Sequence, residues 1–231
     1  LRSAARIKPI ILLKAGRHEA GSAAAATHSG MAAVSDSVFD AAVRRAGVVR
    51  VQNVGQLFYA AKALASKFRP QGDRLAIITN GGGPGAMAAD RAGDMGIPLA
   101  ELTNETMATL NKVMPANWSH SNPIDIAGDA TPERYREAIL AVTKDTNVDS
   151  TLVMLSPQAM TDPMGVAKAI IEISDQLKHS IICCWMGEEQ VAESRRLLED
   201  SGIPAFRMPE TAIELFHHIS KYYRNQKLLL Q

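Results

Sequence analysis

The sequence predicts an α/β protein: a doubly wound parallel sheet forming one complete domain, preceded by part of a second. Two observations carry this. From residue 75 onward, short apolar runs alternate with amphipathic segments that open on helix-capping residues, the pattern of βαβ units around a buried parallel sheet. The first 70 residues supply only two short apolar runs, too few for an independent α/β domain.

In chain order, residues 1–7 read as the end of a helix and 9–13 as a strand, followed by a Gly/Ala/Ser-rich stretch over 15–33 with no apolar period. A helix is expected from Ser35 to a stop at Gly47, a short strand at 48–51, and a helix from Asn53 carrying Leu57, Ala61 and Leu64. The second unit is expected to place strands at 75–79, 97–100, 124–126, 151–155, 181–185 and 204–207. Its helices start at Thr103, at Thr131 with Pro132, at Asp162 with Pro163, and at Pro209-Glu210. Ile213, Phe216, His217 and Ser220 share one face of the last helix, with Ile219 and Tyr223 beside them, and the chain is expected to leave it through Arg224-Asn225-Gln226-Lys227 as a linker. The domains are therefore 1–70 and 71–231, with the first βα units of the first domain missing or disordered.

At 46% hydrophobic and 21% charged residues over 231 positions, the composition is that of a globular protein and excludes disorder as the main state. The longest apolar runs, 10–13 and 181–186, fall far short of the roughly 18 residues of a membrane span, and the first is too short for a signal peptide. A cytoplasmic protein without membrane contact is expected. The only two cysteines, Cys183 and Cys184, are adjacent, which points to buried reduced thiols rather than a disulfide or a zinc site. Residues 1–70 hold 11 Lys+Arg against 3 Asp+Glu, and 71–231 hold 14 against 21, a split of +8 and −7 that suits one unit to anions and the other to docking beside it. The basic residues are scattered, aromatics are 5%, and no groove-reading motif occurs, which argues against nucleic acid.

Three segments carry candidate chemistry. After the strand at 75–79 comes Asn80-Gly81-Gly82-Gly83-Pro84-Gly85-Ala86 and then a helix. Glycines admit close backbone approach, and a helix start binds phosphate or carboxylate; the plain alternative is a tight turn. The same segment satisfies Gly-x-Gly-x-x-Ala, with Glu101 about twenty residues on, so a dinucleotide-binding oxidoreductase is carried as an alternative. A Walker A lysine and a Gly-x-Ser-x-Gly elbow are absent. Second, His28 stands among small residues in Thr27-His28-Ser29-Gly30, where a neutral imidazole is a nucleophile accessible to a phosphoryl group, or merely a structural histidine. Third, Ser119 to Asp129, which contains Ser121-Asn122-Pro123-Ile124-Asp125, is either plain turn and capping chemistry or a lining of the site at the strand ends. The other histidines, His18, His120, His179, His217 and His218, read as loop, turn or helix residues without metal-ligand spacing, and no metal site is expected.

Lys14-Ala-Gly-Arg17, Thr27-His28-Ser29-Gly30, Asp40 to Gly47, Thr79 to Gly85 and Ser121 to Asp125 occur in unbroken order. Together they resemble the nucleoside-diphosphate-forming acyl-CoA synthetases of the succinyl-CoA synthetase superfamily. The resemblance implies flavodoxin-like domains: the second half of a first one, and the whole of the second. It places His28 at the family's phosphohistidine and residues 80–86 at a glycine loop facing it, with Thr27, Ser29, Gly30, Ser121, Asn122 and Asp125 lining the site. Thr27 and Ser29 exchange the family's usual Ser and Thr, and Val34 stands where glycine is common.

The implied reaction converts acyl-CoA, phosphate and ADP reversibly to carboxylate, CoA and ATP through an acyl phosphate and phosphohistidine. Phosphate is the only ligand expected of this chain alone. CoA and ATP or ADP with Mg belong to the intact enzyme, and the implied partners are a CoA-binding domain, an ATP-grasp domain or subunit, and a small carboxylic acid or acyl phosphate, with a homo-oligomer possible in principle. A related branch, the protein-lysine acetyltransferases built on the same domains, is a second alternative, as an acyl-CoA-sensing or structural region.

Overall fold

The computed structural model describes residues 1–29 and 35–230, and the side chains of all of these but 28, 29 and 228–230. The elements are α1 (Arg2–Ala5), β1 (Ile11–Leu13), α2 (Glu19–Ser29), α3 (Asp36–Arg45), β2 (Val49–Val51), α4 (Val54–Ala65), β3 (Leu75–Thr79), α5 (Gly82–Asp94), α6 (Asn104–Val113), β4 (Ile124–Asp125), α7 (Pro132–Val142), β5 (Ser150–Leu155), α8 (Pro163–Ile173), a 3-10 turn (Ser174–Gln176), β6 (Ile181–Trp185), α9 (Glu189–Asp200), β7 (Ala205–Phe206) and α10 (Pro209–Leu230).

Strands β1 and β2 form a parallel pair, and the main sheet runs β4-β3-β5-β6-β7, every pairing parallel. Every residue of β3, β5 and β6 is buried, as a sheet covered on both faces requires. Side-chain alternation assigns the two cores. Ala76, Ile78, Val153, Leu155, Cys183 and Trp185 face one layer with Leu110, Tyr135, Ile139, Ile170 and Leu198 of α6–α9. Leu75, Ile77, Leu152, Met154, Ile182 and Cys184 face the other, with Ala88 and Ala92 of α5 and Ile213, Phe216 and Ile219 of α10. Val49 and Val51 of β2, Ala60, Ala63 and Leu64 of α4, and Phe68 join this second layer, so apolar packing binds the first unit to the second.

The expected helix starts stand. Thr103, Thr131 and Asp162 accept from the N–H groups of Thr106, Arg134 and Gly165, and Asn53 caps α4 through Gln56 N. Three expectations are corrected. The stretch over 15–33 contains α2, an alanine-rich helix held by propensity without an apolar period. The segment 97–100 makes only a single bridge to β3, at Leu99, because Pro98 lacks an N–H and the next ladder position is filled by a side chain: Asn122 Oδ1 accepts from Ile77 N at 3.0 Å, while its Nδ2 donates to Leu75 O at 2.9 Å and Ala100 O at 3.0 Å. The expected linker at 224–227 is the continuation of α10, whose polar groups find distant partners: Gln226 Nε2 donates to Ala5 O and Gly47 O, both at 3.1 Å, and Arg224 pairs with Asp73 at 3.0 Å.

Replacing Asn122 with alanine leaves Ile77 N and Ala100 O without this partner, while Leu75 O keeps its bond from Ala100 N at 2.8 Å, and is expected to cost about 2 kcal/mol, read as a lower urea midpoint at unchanged slope. A second expectation concerns pH. His179, hydrogen-bonded to Thr151 Oγ1 at 2.8 Å, is held by burial at a pKa of about 4. Between about pH 6.5 and 4 the unfolded imidazole binds a proton that the folded one refuses, so stability falls by about 3 kcal/mol as pH falls through this window. In His179→Gln that component of the pH–stability curve should be missing, with the curve measured by urea unfolding at each pH.

Candidate functional site

The order β4-β3-β5-β6-β7 reverses direction between β3 and β5, and ligands of open α/β sheets bind beyond the carboxyl ends of the strands at such a switch point. The glycine loop lies there. Thr79 Oγ1 accepts from Gly81 N at 3.1 Å and bonds Gly81 O at 3.0 Å, closing the turn after β3. Asn80 is buried, its Oδ1 accepting from Ser156 N at 2.7 Å and its Nδ2 donating to Ser156 O at 2.9 Å. Its amide is thus spent on clamping the ends of β3 and β5 together.

Helix α5 opens at Gly82, and Gly85 N is the first amide to reach back, to Gly81 O at 3.1 Å. Pro84 has no N–H. The N–H groups of Gly82 and Gly83 make no hydrogen bond among the described residues, and both glycines are exposed. Two free donors at the head of a 13-residue helix carry its partial positive charge, a geometry with which a helix start can hold one oxyanion. Ala86 continues the helix on the exposed side. A Cβ on Gly83 would meet nothing within 4 Å, whereas one on Gly85 would lie 2.9 Å from Thr79 Cγ2.

Asp125 is delivered to the same crevice. Ser119 Oγ accepts from Asp125 N at 2.9 Å and donates to Pro123 O at 2.7 Å, while Ser121 bonds back to Ser119 O at 3.3 Å. The Asp125 Oδ1 accepts from Ala127 N at 3.0 Å, and Oδ2 sits 3.0 Å from where a Gly82 Cβ would stand. Ser156 Oγ lies 3.3 Å from the corresponding position on Gly81 and, among the described residues, has only the Met186 sulfur, at 3.6 Å, as a partner. Beneath the loop, burial pushes the Tyr135 phenol well above its ordinary pKa, and its hydroxyl donates to Met154 O at 2.9 Å, so it is a fixed support rather than a proton carrier.

Of the residues singled out in the sequence, the structure thus brings Gly81 to Gly85 and Asp125 together, and gives Asn80, Ser121 and Asn122 bonds that shape the crevice. Thr27 and His28 are in the last turn of α2, which ends at Ser29, and Thr27 Oγ1 donates to Ala24 O at 2.7 Å. The side chains of His28 and Ser29, and Gly30 and Val34 altogether, lie outside what is described, as does the expected approach of the His28 ring to Gly83. Sequence reading missed Ser156 and also Gln158, whose Nε2 donates to Asn80 O at 3.4 Å; the signal was a Ser-Pro-Gln directly after the strand that neighbours β3. The charge split does not act as a docking surface. Lys14 and Arg50 both bind Asp36, at 3.3 and 2.5 Å, Arg50 and Arg44 both bind Asp40, and Lys62–Glu199 at 2.5 Å is the ion pair across to the acidic unit among the described residues. The Arg50 hydrogen bond holds the Asp36 carboxyl below its ordinary range. No cluster of three or more metal-ligating side chains occurs among the described residues. Both cysteines are free and buried, and burial pushes the Cys184 thiol up to about 12.

Residues 1–64 match the succinyl-CoA ligase like flavodoxin domain and 75–228 the ligase-CoA domain. The chain is 39% identical over 221 residues to an ADP-forming acetate–CoA ligase I of Archaeoglobus fulgidus, covering 96% of this chain and 31% of that protein. It is 37% identical over 217 residues to the alpha subunit of ADP-forming acetate–CoA ligase I of Pyrococcus furiosus, covering 93% and 47%. The dinucleotide-forming acetyl-coenzyme A synthetase 1 of Ca. Korarchaeum cryptofilum, solved in complex with phosphate and ADP, superposes with a TM-score of 0.90 at 33% identity over 99% of this chain and 50% of that one. Fold and loop define the class, a flavodoxin-like segment followed by a ligase-CoA domain. The chain belongs to the NDP-forming acyl-CoA synthetase family of the succinyl-CoA synthetase superfamily. It spans about a third to a half of the length of these relatives. The oxidoreductase and acetyltransferase alternatives find no support among them.

The two glycines separate fold from ligand. Gly85→Ala is expected to lose about 1–3 kcal/mol, because Thr79 is β-branched, buried and hydrogen-bonded to Gly81 and cannot yield. Gly83→Ala should unfold at the same or a slightly higher urea concentration.

Proposed function

We propose that this chain is the part of an ADP-forming acyl-CoA synthetase that carries the phosphohistidine and receives its phosphoryl group. The observation that carries the reading is the open pair of N–H groups on Gly82 and Gly83 at the switch point, in a chain whose relatives are named ADP-forming acetate–CoA ligases.

The acyl-CoA thioester is first cleaved by phosphate to acyl phosphate and CoA. A neutral His28 ring nitrogen then attacks the phosphorus; the N–P bond forms as the P–O bond to the acyl group breaks, releasing the carboxylate. ADP takes the phosphoryl group in turn, and the ring returns to its starting state. Such transfer is governed by position and charge stabilisation, and the Gly82 and Gly83 donors supply both to the equatorial oxygens. Ser156 Oγ stands within the same crevice. The negative Asp125 opposes a second anion and favours a cationic or N–H-bearing group beside the phosphoryl oxygens. CoA, the nucleotide with Mg, and the acyl substrate are handled by a CoA-binding domain and an ATP-grasp domain or subunit outside this chain, and a cytoplasmic location belongs to the same reading.

In the intact enzyme, ATP should label His28 with phosphate that is lost in acid and retained in base. His28→Ala should remove both label and acyl-CoA synthesis. Replacing Gly83 with valine should weaken labelling while the nucleophile remains, by crowding the donors. Undiminished acid-labile label in His28→Ala would overturn the assignment.

A further inference from the structure

A second polar cavity, of about 170 Å³, lies away from the glycine loop, at the seam where α10 meets α3 and β2. Arg44, Arg50, His217, His218 and Lys221 line it against a single carboxylate, Asp40. Asp40 is committed to Arg44 and Arg50, and Asp36, behind it, to Lys14 and Arg50. Four cations, counting Lys221, therefore face two carboxylates.

The imbalance is local. Lys221 is half-buried and has no hydrogen bond or ion pair among the described residues. In the walls, Arg50 Nε and His218 Nε2 are buried without a hydrogen-bond partner among the described residues. The carboxylate nearest His218 on its own helix, Glu214, is already bound by Arg91 at 2.5 Å and Gln56 at 2.8 Å. Buried unpaired polar groups are rare in folded proteins and mark places where a water or ion completes the structure. Here the missing partner must accept hydrogen bonds and carry negative charge, since the groups at the cavity that want one are the Lys221 ammonium and the Arg50 guanidinium N–H, with the His218 ring beside them.

We propose that this seam binds a small oxyanion of phosphate size, held by Lys221 and Arg44 and positioned between α10 and α3. The ligand would bridge the two units of the chain and stabilise their junction by mass action. The site is independent of the glycine loop, shares no residue with it, and stands or falls apart from the phosphohistidine reading.

The depressed pKa of His218, about 4 through burial with His217 and Lys221 adding to it, provides a readout. Inorganic phosphate is titrated into the 231-residue chain at constant ionic strength, and the histidine ring nitrogens are followed by NMR across pH. Phosphate should raise the His218 pKa, because a nearby anion favours imidazolium, with half-saturation below about 10 mM. Lys221→Gln should weaken this response about tenfold while amide shifts at Gly82 and Gly83 persist. Arg44→Gln, at a largely exposed side chain, should weaken it as well. A His218 titration that phosphate leaves in place, or a response unchanged in both variants, would overturn the proposal.

Discussion

A sheet whose three central strands are buried along their whole length needs an apolar layer on each side, and this constraint organises the molecule. One layer is local, built by α6 to α9 between successive strands. The other is not. It combines α5, which begins at the glycine loop, with α10 from the end of the chain and with β2 and α4 from its start. The first 70 residues are therefore less a neighbour of the second domain than a component of its core.

At the carboxyl edge of this sheet, position does most of the chemical work. Asn80 ties the ends of β3 and β5 through both of its amide atoms, and Thr79 locks the turn that follows. These bonds aim the head of α5 into the crevice and leave two of its donors open. Two glycines on either side of Pro84 answer to different demands: Gly85 has to pack on Thr79, whereas Gly83 faces open space. A binding surface made of main-chain N–H groups has no side chain to reorganise when charge arrives.

Much of this was legible in the chain. The alternation after residue 75 located β3 and β6, and the capping residues Thr103, Thr131 and Asp162 are read straight from sequence because they act within one turn. What escaped notice depends on partners far along the chain or on signals without a period. Helix α2 is alanine-rich and shows no apolar face to read. Residues 97–100 look like a full strand until Asn122, some twenty positions later, is seen to take the ladder's place. The polar tail of α10 resembles a linker until Gln226 meets carbonyls at residues 5 and 47. Ser156 joins the candidate site only once strand order puts β5 beside β3. For His28 the residues alone left a nucleophile and a structural histidine both standing; the motif around it, not its physics, carries the proposal that it is the nucleophile.

The shared core also fixes what kind of movement the chain permits. Prising β2 and α4 from the second sheet would bare Val49, Val51, Leu64 and Phe68, a penalty on the order of 8 kcal/mol from those side chains alone. Hinge opening between the units is thus a rare, near-unfolding excursion. The first 70 residues and the sheet they cover therefore move as one frame, and any rearrangement that keeps the core intact takes place at its surface.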